Sequence, residues 1–285
     1  MPASYALLED RGVLAIMGED AETFLQGLVS VDVTKASGER ALYGALLTPQ
    51  GKFLFDFFLL RMDAAFYLES EGARIEELKK RLSLYKLRAK VSIEDATEKF
   101  RVFAFFGEGA VEASRLPEEA GAARFYEDGL LYVDPRTAKA GTRALLPNDG
   151  TVDVAGFAKA DAADYDRFRI TLGLPDGSRD LEPEKAVLLD YGFDALNGID
   201  WEKGCYVGQE VTARMKHRGL ARKGLFPVTI EGAPPAPGTA IAAGGRDVGM
   251  LTSVRGDVGL ALLKHEAIEA GDALQAGAAR LSPRR

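Results

Sequence analysis

The sequence predicts an α+β fold followed by a small C-terminal β-barrel, on two observations. Between Arg11 and Phe106, short apolar runs typical of strands alternate with amphipathic segments typical of helices, which indicates α+β layers. After Gly224, short strand-like runs follow one another with Gly and Pro between them, as in a small barrel or sandwich. We therefore expect two domains, residues 1–223 and residues 224–285.

The elements of the first domain follow from apolar spacing. The predicted strands are Arg11–Met17, Ala41–Leu47, Phe53–Arg61, Phe66–Glu69, Lys90–Glu94 and Phe100–Phe106. The predicted helices are Glu19–Leu28, Ala73–Lys86 and Ala162–Leu172. Pro49 and Gly51 place a hairpin turn between the second and third strands.

Glycine and proline separate the elements of the second domain. The predicted strands are Leu225–Ile230, Thr239–Ala243, Asp247–Val254, Val258–Leu263 and Ala273–Leu281. The longest connection, Gly232–Gly238, contains three prolines, and prolines do not continue a strand ladder.

Composition excludes several classes of protein. The chain of 285 residues has a formal net charge of −7, so bulk charge does not favour nucleic acid. Its single cysteine excludes an internal disulfide and fits a reducing compartment. One cysteine and two histidines cannot form an ordinary structural zinc site, and we expect no metal site built by this chain alone.

The sequence also carries no targeting signal that we can identify. Its start lacks a basic region followed by an apolar one, and an arginine-rich presequence is absent. The longest apolar stretch, Phe53–Leu60, is too short to cross a bilayer and contains Asp56. We therefore expect a cytoplasmic protein without membrane association, and a monomer.

The segment Gly198–Glu210 concentrates chemically capable side chains. Cys205 lies between two glycines, and Lys203 precedes it by two residues, where an ammonium would favour the thiolate. The other candidates have ring faces that could stack on a flat heterocycle or polar groups that could bond its edges: Trp201, Tyr206, Gln209 and Glu210. The alternative is that Cys205 is a small buried apolar residue.

Basic residues alternate with apolar ones directly after this segment. Arg214, Lys216 and Arg218 occupy every second position of Val211–Gly219, and this period predicts a strand with one basic face. Such a face would attract a carboxylate-rich or phosphate ligand. The alternative is a solvated edge strand whose charges oppose aggregation.

Asp56 interrupts the apolar strand Phe53–Leu60. A carboxylate buried in such a strand is costly unless it is paired or hydrogen-bonded. It is therefore kept either for a structural hydrogen bond or for a ligand.

The run Lys203-Gly-Cys-Tyr-Val-Gly-Gln-Glu210 resembles the signature of the YgfZ family, folate-binding relatives of the glycine-cleavage T-protein. Four further segments are similar to that family, the last of them to its basic strand: Phe24–Leu28, Leu47–Asp56, Arg169–Pro175 and Ala213–Gly219. The likeness covers most of the chain and is weakest between Val111 and Asp161.

The resemblance implies a three-lobed fold with a central channel that binds tetrahydrofolate. Cys205 would be the functional thiol with Lys203 beside it, and Asp56 would match the T-protein carboxylate that serves the folate amine. We expect the pterin to lie between Asp56 and Cys205, and the basic strand to receive the glutamate tail. The resemblance also implies support of iron–sulfur cluster assembly or repair, with an indirect effect on tRNA modification, and iron–sulfur proteins as partners.

One departure from the T-protein bears on activity. T-proteins carry a glutamate that holds the pterin, and Thr171 stands at that position here; it cannot accept the same paired hydrogen bonds. The primary expectation is a folate-binding accessory protein without turnover of its own. The alternatives are a tetrahydrofolate-dependent aminomethyl- or methyltransferase and an RNA-binding module. The sequence does not decide whether folate is turned over.

Overall fold

The structure is a computed structural model that describes residues 1–150, 152 and 154–284. Its N-terminal strands, in chain order, are β1 (Ser4–Leu7), β2 (Arg11–Met17), β3 (Leu42–Leu47), β4 (Phe53–Met62), β5 (Ala65–Glu71), β6 (Ser92–Asp95), β7 (Phe100–Phe106), β8 (Ala123–Tyr126), β9 (Gly129–Val133), β10 (Thr142–Pro147) and β11 (Ala158–Lys159). The C-terminal strands are β12 (Lys223–Glu231), β13 (Ala240–Ala243), β14 (Arg246–Arg255), β15 (Val258–Lys264), β16 (Leu274–Ala276) and β17 (Ala279–Pro283).

The α-helices are shorter and lie between these strands. They are α1 (Ala21–Gln26), α2 (Ile75–Lys86), α3 (Ala110–Ala113), α4 (Ala162–Thr171), α5 (Gly177–Asp180), α6 (Gln209–Arg218) and α7 (His265–Glu269). Single 3₁₀ turns are found at Val33–Lys35, Gly72–Arg74, Thr97–Lys99, Ala138–Ala140 and Leu188–Tyr191.

Two sheets and a barrel make up the architecture. The first sheet has the order β3-β4-β5-β2-β6, and the second has the order β11-β1-β7-β10-β9-β8. The barrel closes in the order β12-β15-β14-β13-β16-β17, with β17 paired to β12. This confirms the expected α+β fold with a small C-terminal β-barrel.

A shared core joins the two sheets. Tyr43 and Phe58 of the first sheet pack in one apolar cluster with Phe106 and Tyr132 of the second. Helices α1 and α2 cover the other face of the first sheet, where Leu25 and Leu78 are fully buried. Most of the core is therefore built by alternation along strands, which is why sequence periodicity predicts the strands well.

Two details of the second domain differ from expectation. Ala273–Leu281 is not one strand, because Gly277 with φ of +59° turns the chain and separates β16 from β17. The helix α7 was not predicted from the sequence. The barrel strand β12 begins at Lys223, and the division into residues 1–223 and 224–285 remains a prediction.

The predicted basic strand at Val211–Gly219 is wrong, because these residues belong to helix α6. Gly208 and Gly219 flank the helix with φ values of +85° and +58°, and the Leu220 amide bonds the Met215 carbonyl at 3.0 Å, which closes the C-terminus. Arg214 and Arg218 share a face as an i, i+4 pair, whereas Lys216 points elsewhere. The alternation in sequence was therefore a coincidence within a run of good helix formers.

Candidate functional site

Cys205 is an exposed free thiol on the loop before α6. The loop is held by backbone hydrogen bonds directly after this residue. The Val207 amide donates to the Gly27 carbonyl at 3.1 Å, and the Tyr206 amide donates to Gln209 Oε1 at 3.2 Å. The sulfur is thus presented to solvent by an ordered backbone, and the alternative of a buried apolar cysteine does not apply.

Lys203 is a half-buried anchor of this loop. Its Nζ donates to the carbonyl oxygens of Gln26, Val29 and Val31 at 2.9, 2.6 and 2.7 Å, which uses all three ammonium protons. Burial lowers the pKa of Lys203 to about 8, while Asp32 and Asp200 act in the opposite direction. The side chain ties the thiol loop to the segment after α1. Activation of the thiol by Lys203 remains a prediction.

The other side chains predicted to bind a ligand near Cys205 do not share one environment, because some are exposed and one is buried. Trp201 is exposed, and Lys216 Nζ lies 5.4 Å from the centre of its ring. Glu210 is also exposed and pairs with Arg214 at 3.0 Å. Tyr206 is buried, and burial raises its pKa to about 12. These side chains therefore do not line one common pocket around the thiol.

A surface groove of about 570 Å³ lies beside Trp201. Its walls include Asp194 and Asp200, which pair with Lys216 at 2.9 Å and Lys35 at 2.5 Å. The negative charges of these two carboxylates are thus balanced by lysine side chains of the same protein.

Asp56 is buried in the interior, whereas the thiol is exposed. Its Oδ2 accepts a hydrogen bond from the Tyr43 hydroxyl at 2.7 Å. Burial raises the pKa of Asp56, whereas Arg11 and the Tyr43 hydrogen bond lower it. The Tyr43 hydroxyl therefore provides the structural hydrogen bond that was one of the two reasons considered for keeping Asp56 in this strand.

A network of buried ion pairs fills the region where a central channel was expected. The Glu69 carboxylate accepts from Arg11 at 2.8 Å, from Arg143 at 2.5 Å and from the Tyr132 hydroxyl at 2.7 Å. Arg136 pairs with Asp134 at 2.7 Å. The remaining cavity has a volume of about 40 Å³, and neither Cys205 nor any residue of α6 forms its walls.

Arg169 of helix α4 extends this network to the barrel. It pairs with Asp166 and Asp180, both at 2.7 Å, and donates to Ser253 Oγ at 3.0 Å. Ser253 in turn donates to Asp180 at 2.7 Å. The three parts of the fold are thereby connected through buried charges.

These residues do not fit tetrahydrofolate in the central region. Pockets for ligands of this size measure roughly 300–1,000 Å³, whereas about 40 Å³ holds only one or two water molecules. The Thr171 hydroxyl donates to the Phe168 carbonyl at 2.6 Å and supplies no carboxylate for a pterin.

Sequence reasoning missed the arginines and acids of this network. Glu69 and Arg143 lie at the ends of short apolar runs within β5 and β10, which is a weaker signal than the interruption at Asp56. Arg11 begins β2 and Arg136 lies outside the strands, and neither position gave a signal.

Comparison with known proteins assigns the family. A family model described as "GCVT N-terminal domain" matches residues 9–116, and one described as "CAF17, C-terminal beta-barrel domain" matches residues 222–285. The iron–sulfur cluster assembly factor IBA57, mitochondrial, of Homo sapiens is 37% identical over 282 residues, which cover 92% of this chain and 78% of the relative. This chain belongs to the IBA57 family.

Other relatives agree with that assignment, and a solved structure has the same fold. The mouse IBA57 is 36% identical, with the same coverage of 92% and 78%. The IBA57 homolog of Dictyostelium discoideum is 29% identical over 78% of this chain and 62% of its own length. The glycine cleavage system aminomethyltransferase T of Bartonella henselae is 16% identical, with a TM-score of 0.77 over 99% of this chain and 84% of that chain, which shows the fold alone.

The comparisons refine one expectation and overturn another. The expected T-protein-type domain joined to a C-terminal barrel is confirmed, but the relatives are named IBA57 and not YgfZ. The expected cytoplasmic location is wrong, because these relatives are named as mitochondrial. None of the described helices is long and apolar enough to cross a membrane.

Proposed function

We propose that this protein is an iron–sulfur cluster assembly factor that offers the Cys205 thiolate to iron or to a cluster. Its membership of the IBA57 family supports the process, and the exposed free thiol supports the chemistry. The observation that carries the proposal is a solvent-facing sulfur on a loop whose backbone is fixed through Lys203 and Val207.

A single thiolate implies shared ligation. Iron–sulfur clusters are usually held by four cysteine thiolates, and this chain has one. No group of three or more His, Cys, Asp or Glu side chains suited to a metal occurs among the described residues. The cluster is therefore cargo, and a partner protein supplies the remaining ligands.

We expect Cys205→Ser to abolish support of iron–sulfur enzymes without affecting the fold. Serine keeps the volume and exposure of the side chain but is not a thiolate ligand at neutral pH. The variant would be expressed in cells that lack the human relative, and aconitase activity would be compared with the wild-type chain. The melting temperature and the protein level provide the controls. Full aconitase activity with Cys205→Ser would remove the basis of the proposal.

Binding of tetrahydrofolate was implied by the family resemblance alone and is not part of this proposal. The T-protein-type domain favours it, and the closed central cavity opposes it. We expect calorimetric titration with tetrahydrofolate to give no saturable binding, because the buried arginines already have carboxylate partners. Saturable binding that Asp56→Asn removes would show that the network opens for the ligand.

The remaining sequence hypotheses lack a supporting contact in the structure. Aminomethyl transfer would need a protein carboxylate that holds the pterin. Thr171 stands at that position, and its hydroxyl donates to the Phe168 carbonyl of the same helix. An effect on tRNA modification stays a prediction that would act through clusters, and the monomeric state also stays a prediction.

A further inference from the structure

The end of helix α2 exposes two large apolar side chains that the rest of the fold does not cover. Leu87 is 89% exposed and Leu84 is 70% exposed, the two highest values among the large apolar side chains of the described residues. The opposite face of the helix is buried, with Leu78 and Leu82 in the apolar cluster that covers the first sheet. The exposed leucines therefore contribute little to the packing of this helix.

Leu87 is held outward by a turn in an unfavourable conformation. Its φ is +43°, a region that leucine rarely adopts and that turns usually fill with Gly, Asn or Asp. The Ala89 amide donates to the Lys86 carbonyl at 2.7 Å and closes the turn. Tyr85 and Ala89 pack against the core on either side of Leu87. The backbone thus presents a leucine to solvent at a cost in stability, and such a cost indicates a use other than folding.

Basic residues flank these leucines in the sequence. Residues 79–90 contain six Lys or Arg and no Asp or Glu, whereas the whole chain has a net charge of −7. Three of the six each pair with one glutamate, at 3.8, 3.5 and 2.7 Å: Lys79, Arg81 and Lys90. The other three have no ion-pair partner in the described part of the chain: Lys80, Lys86 and Arg88. We name the unpaired cations and the exposed leucines the α2 tip: Lys80, Leu84, Lys86, Leu87 and Arg88.

We propose that the α2 tip binds the surface of a bilayer that contains anionic lipid. The two leucine side chains enter the boundary between headgroups and acyl chains, and the three unpaired cations meet the lipid phosphates around them. Apolar insertion and electrostatic attraction are separate contributions, and a stable attachment to the surface of a membrane needs two such signals. The α2 tip supplies both within nine residues of the chain, 80–88.

The composition of the α2 tip favours a bilayer over a protein partner. Lysine is depleted in protein interfaces, and leucine is under-represented among the residues that dominate their binding energy. Nucleic acid would engage the cations but gives no reason for exposed leucines. The expectation of no membrane association rested on the length of the apolar runs, and binding at a membrane surface requires no such run.

The test measures flotation of the whole chain with two kinds of vesicle. One kind is phosphatidylcholine alone, and the other is an equal mixture of phosphatidylcholine and phosphatidylglycerol. We expect the wild-type chain to float with the mixed vesicles and not with the neutral ones, and the bound fraction should fall as salt is added. A wild-type chain that binds neither kind of vesicle, or both equally, would overturn the proposal.

The charge variant replaces the three unpaired cations with glutamine: Lys80→Gln, Lys86→Gln and Arg88→Gln. We expect its binding to mixed vesicles to weaken by about tenfold or more, since each cation near an anionic surface adds to the affinity. The matched control removes the same charge from three exposed residues without ion pairs in the described residues: Lys139→Gln, Lys159→Gln and Arg280→Gln. It should bind as the wild type does. Equal losses in both variants would mean that net charge alone attracts the chain, and would reject the α2 tip.

The apolar variant combines Leu84→Gln with Leu87→Gly. Glycine adopts the positive φ at position 87 without strain, so this variant should melt at the wild-type temperature or above it. Its binding to mixed vesicles should nevertheless weaken by about tenfold, because the inserted apolar area is lost. Phe125→Ser, which removes another apolar side chain that is 54% exposed, is the control and should bind as the wild type does. Unchanged binding of the apolar variant would show that the leucines do not insert.

Two soluble probes separate the bilayer from other occupants of the α2 tip. They are tRNA and polyglutamate, which represent nucleic acid and an acidic protein. If the wild-type chain binds either probe, the charge variant does not, and the chain fails to float with mixed vesicles, the bilayer is rejected as the occupant. The inference is independent of the proposed function, so Cys205→Ser should float as the wild type does. Loss of flotation in that variant would place the attachment away from the α2 tip.

Discussion

Two residues of one loop have opposite environments, and this difference defines the candidate site. Cys205 is exposed, whereas the Lys203 ammonium is held by three backbone carbonyls. An unsatisfied buried carbonyl costs free energy, so the lysine stabilises the segment after α1 as well as its own loop. Lys203 is therefore placed as a positioning residue for the thiol.

We expect Lys203→Met to lower the free energy of unfolding by about 1–3 kcal/mol, because the carbonyls lose their donor. Urea titration measures this loss. Amide exchange at Val207, which bonds Gly27, should become faster. The pH dependence of Cys205 alkylation should match the wild type if the lysine only positions the loop. A shift of that pH profile would instead support the thiol-activating role predicted from the sequence.

At the scale of the element, α6 depends on two glycines in different surroundings. A Cβ at Gly208 would lie 2.5 Å from the Thr48 carbonyl oxygen and 2.9 Å from Leu47 Cβ. At Gly219 the same atom would meet nothing within 4 Å. Both have positive φ, but only Gly208 also allows the helix to begin against the β3–β4 hairpin.

These surroundings predict different effects for the same substitution. Gly219→Ala should cost about 1–2 kcal/mol from the left-handed conformation alone. Gly208→Ala should cost more, because the hairpin backbone must also move. Thermal unfolding of the two variants would check the order, and equal losses would contradict the close contact with the hairpin.

At the scale of the whole molecule, buried charges join the two sheets and the barrel. Glu69 lies between Arg11 and Arg143, and Arg169 reaches Ser253 of the barrel. Removing one partner of a buried pair leaves an uncompensated charge, which is far more costly than losing an exposed pair. The network therefore closes the central region and contributes to cooperative folding.

We expect Glu69→Gln to reduce stability by about 3–5 kcal/mol, since buried Arg143 loses its carboxylate partner and Arg11 keeps only Asp176. Exposed Glu112→Gln is the matched control and should stay within about 0.5 kcal/mol of the wild type. Urea unfolding measures both. A small effect at Glu69 would mean that water or another carboxylate reaches the arginines.

The same network predicts loss of stability in acid. Burial alone would raise the pKa of Glu69, but Arg143 and Arg11 lower it below its ordinary 4.5. Arg169 likewise lowers the pKa of Asp166 and Asp176 against the effect of burial. Groups with a lowered folded-state pKa contribute stability that is lost as the pH falls through that value. Asp56, with a raised pKa, acts in the opposite direction.

We therefore expect the free energy of unfolding to fall as the pH decreases below about 4.5, because six carboxyl groups of the described residues have a lowered pKa and only two, Asp56 and Asp190, have a raised one. Glu69→Gln should show a shallower decrease over the same range. Urea titrations at a series of pH values would measure both slopes. A stability that rises in acid would show that the groups with a raised pKa, Asp56 and Asp190, dominate.

The local sequence pattern was sufficient to predict most strands and helices and to find the loop that carries Cys205. Strands β2, β4 and β7 follow from runs of apolar residues, and the Cys205 segment was found from its glycines and reactive side chains. Helix α6 was predicted as a strand, because the alternation of basic and apolar residues was given more weight than the glycines at its two ends. The glycines carried the correct information, since left-handed positions at both ends indicate a capped helix.

The sequence by itself determined the α+β class, the C-terminal barrel and the loop that carries the thiol, because each depends on residues close together in the chain. Only the tertiary structure decided that Cys205 faces solvent, that Lys203 bonds carbonyls and that the central region is closed. Arg11 and Glu69 are 58 positions apart and Arg143 and Glu69 are 74 apart. No local periodicity reports whether charges so distant along the chain will meet, since their pairing depends on how the sheets pack.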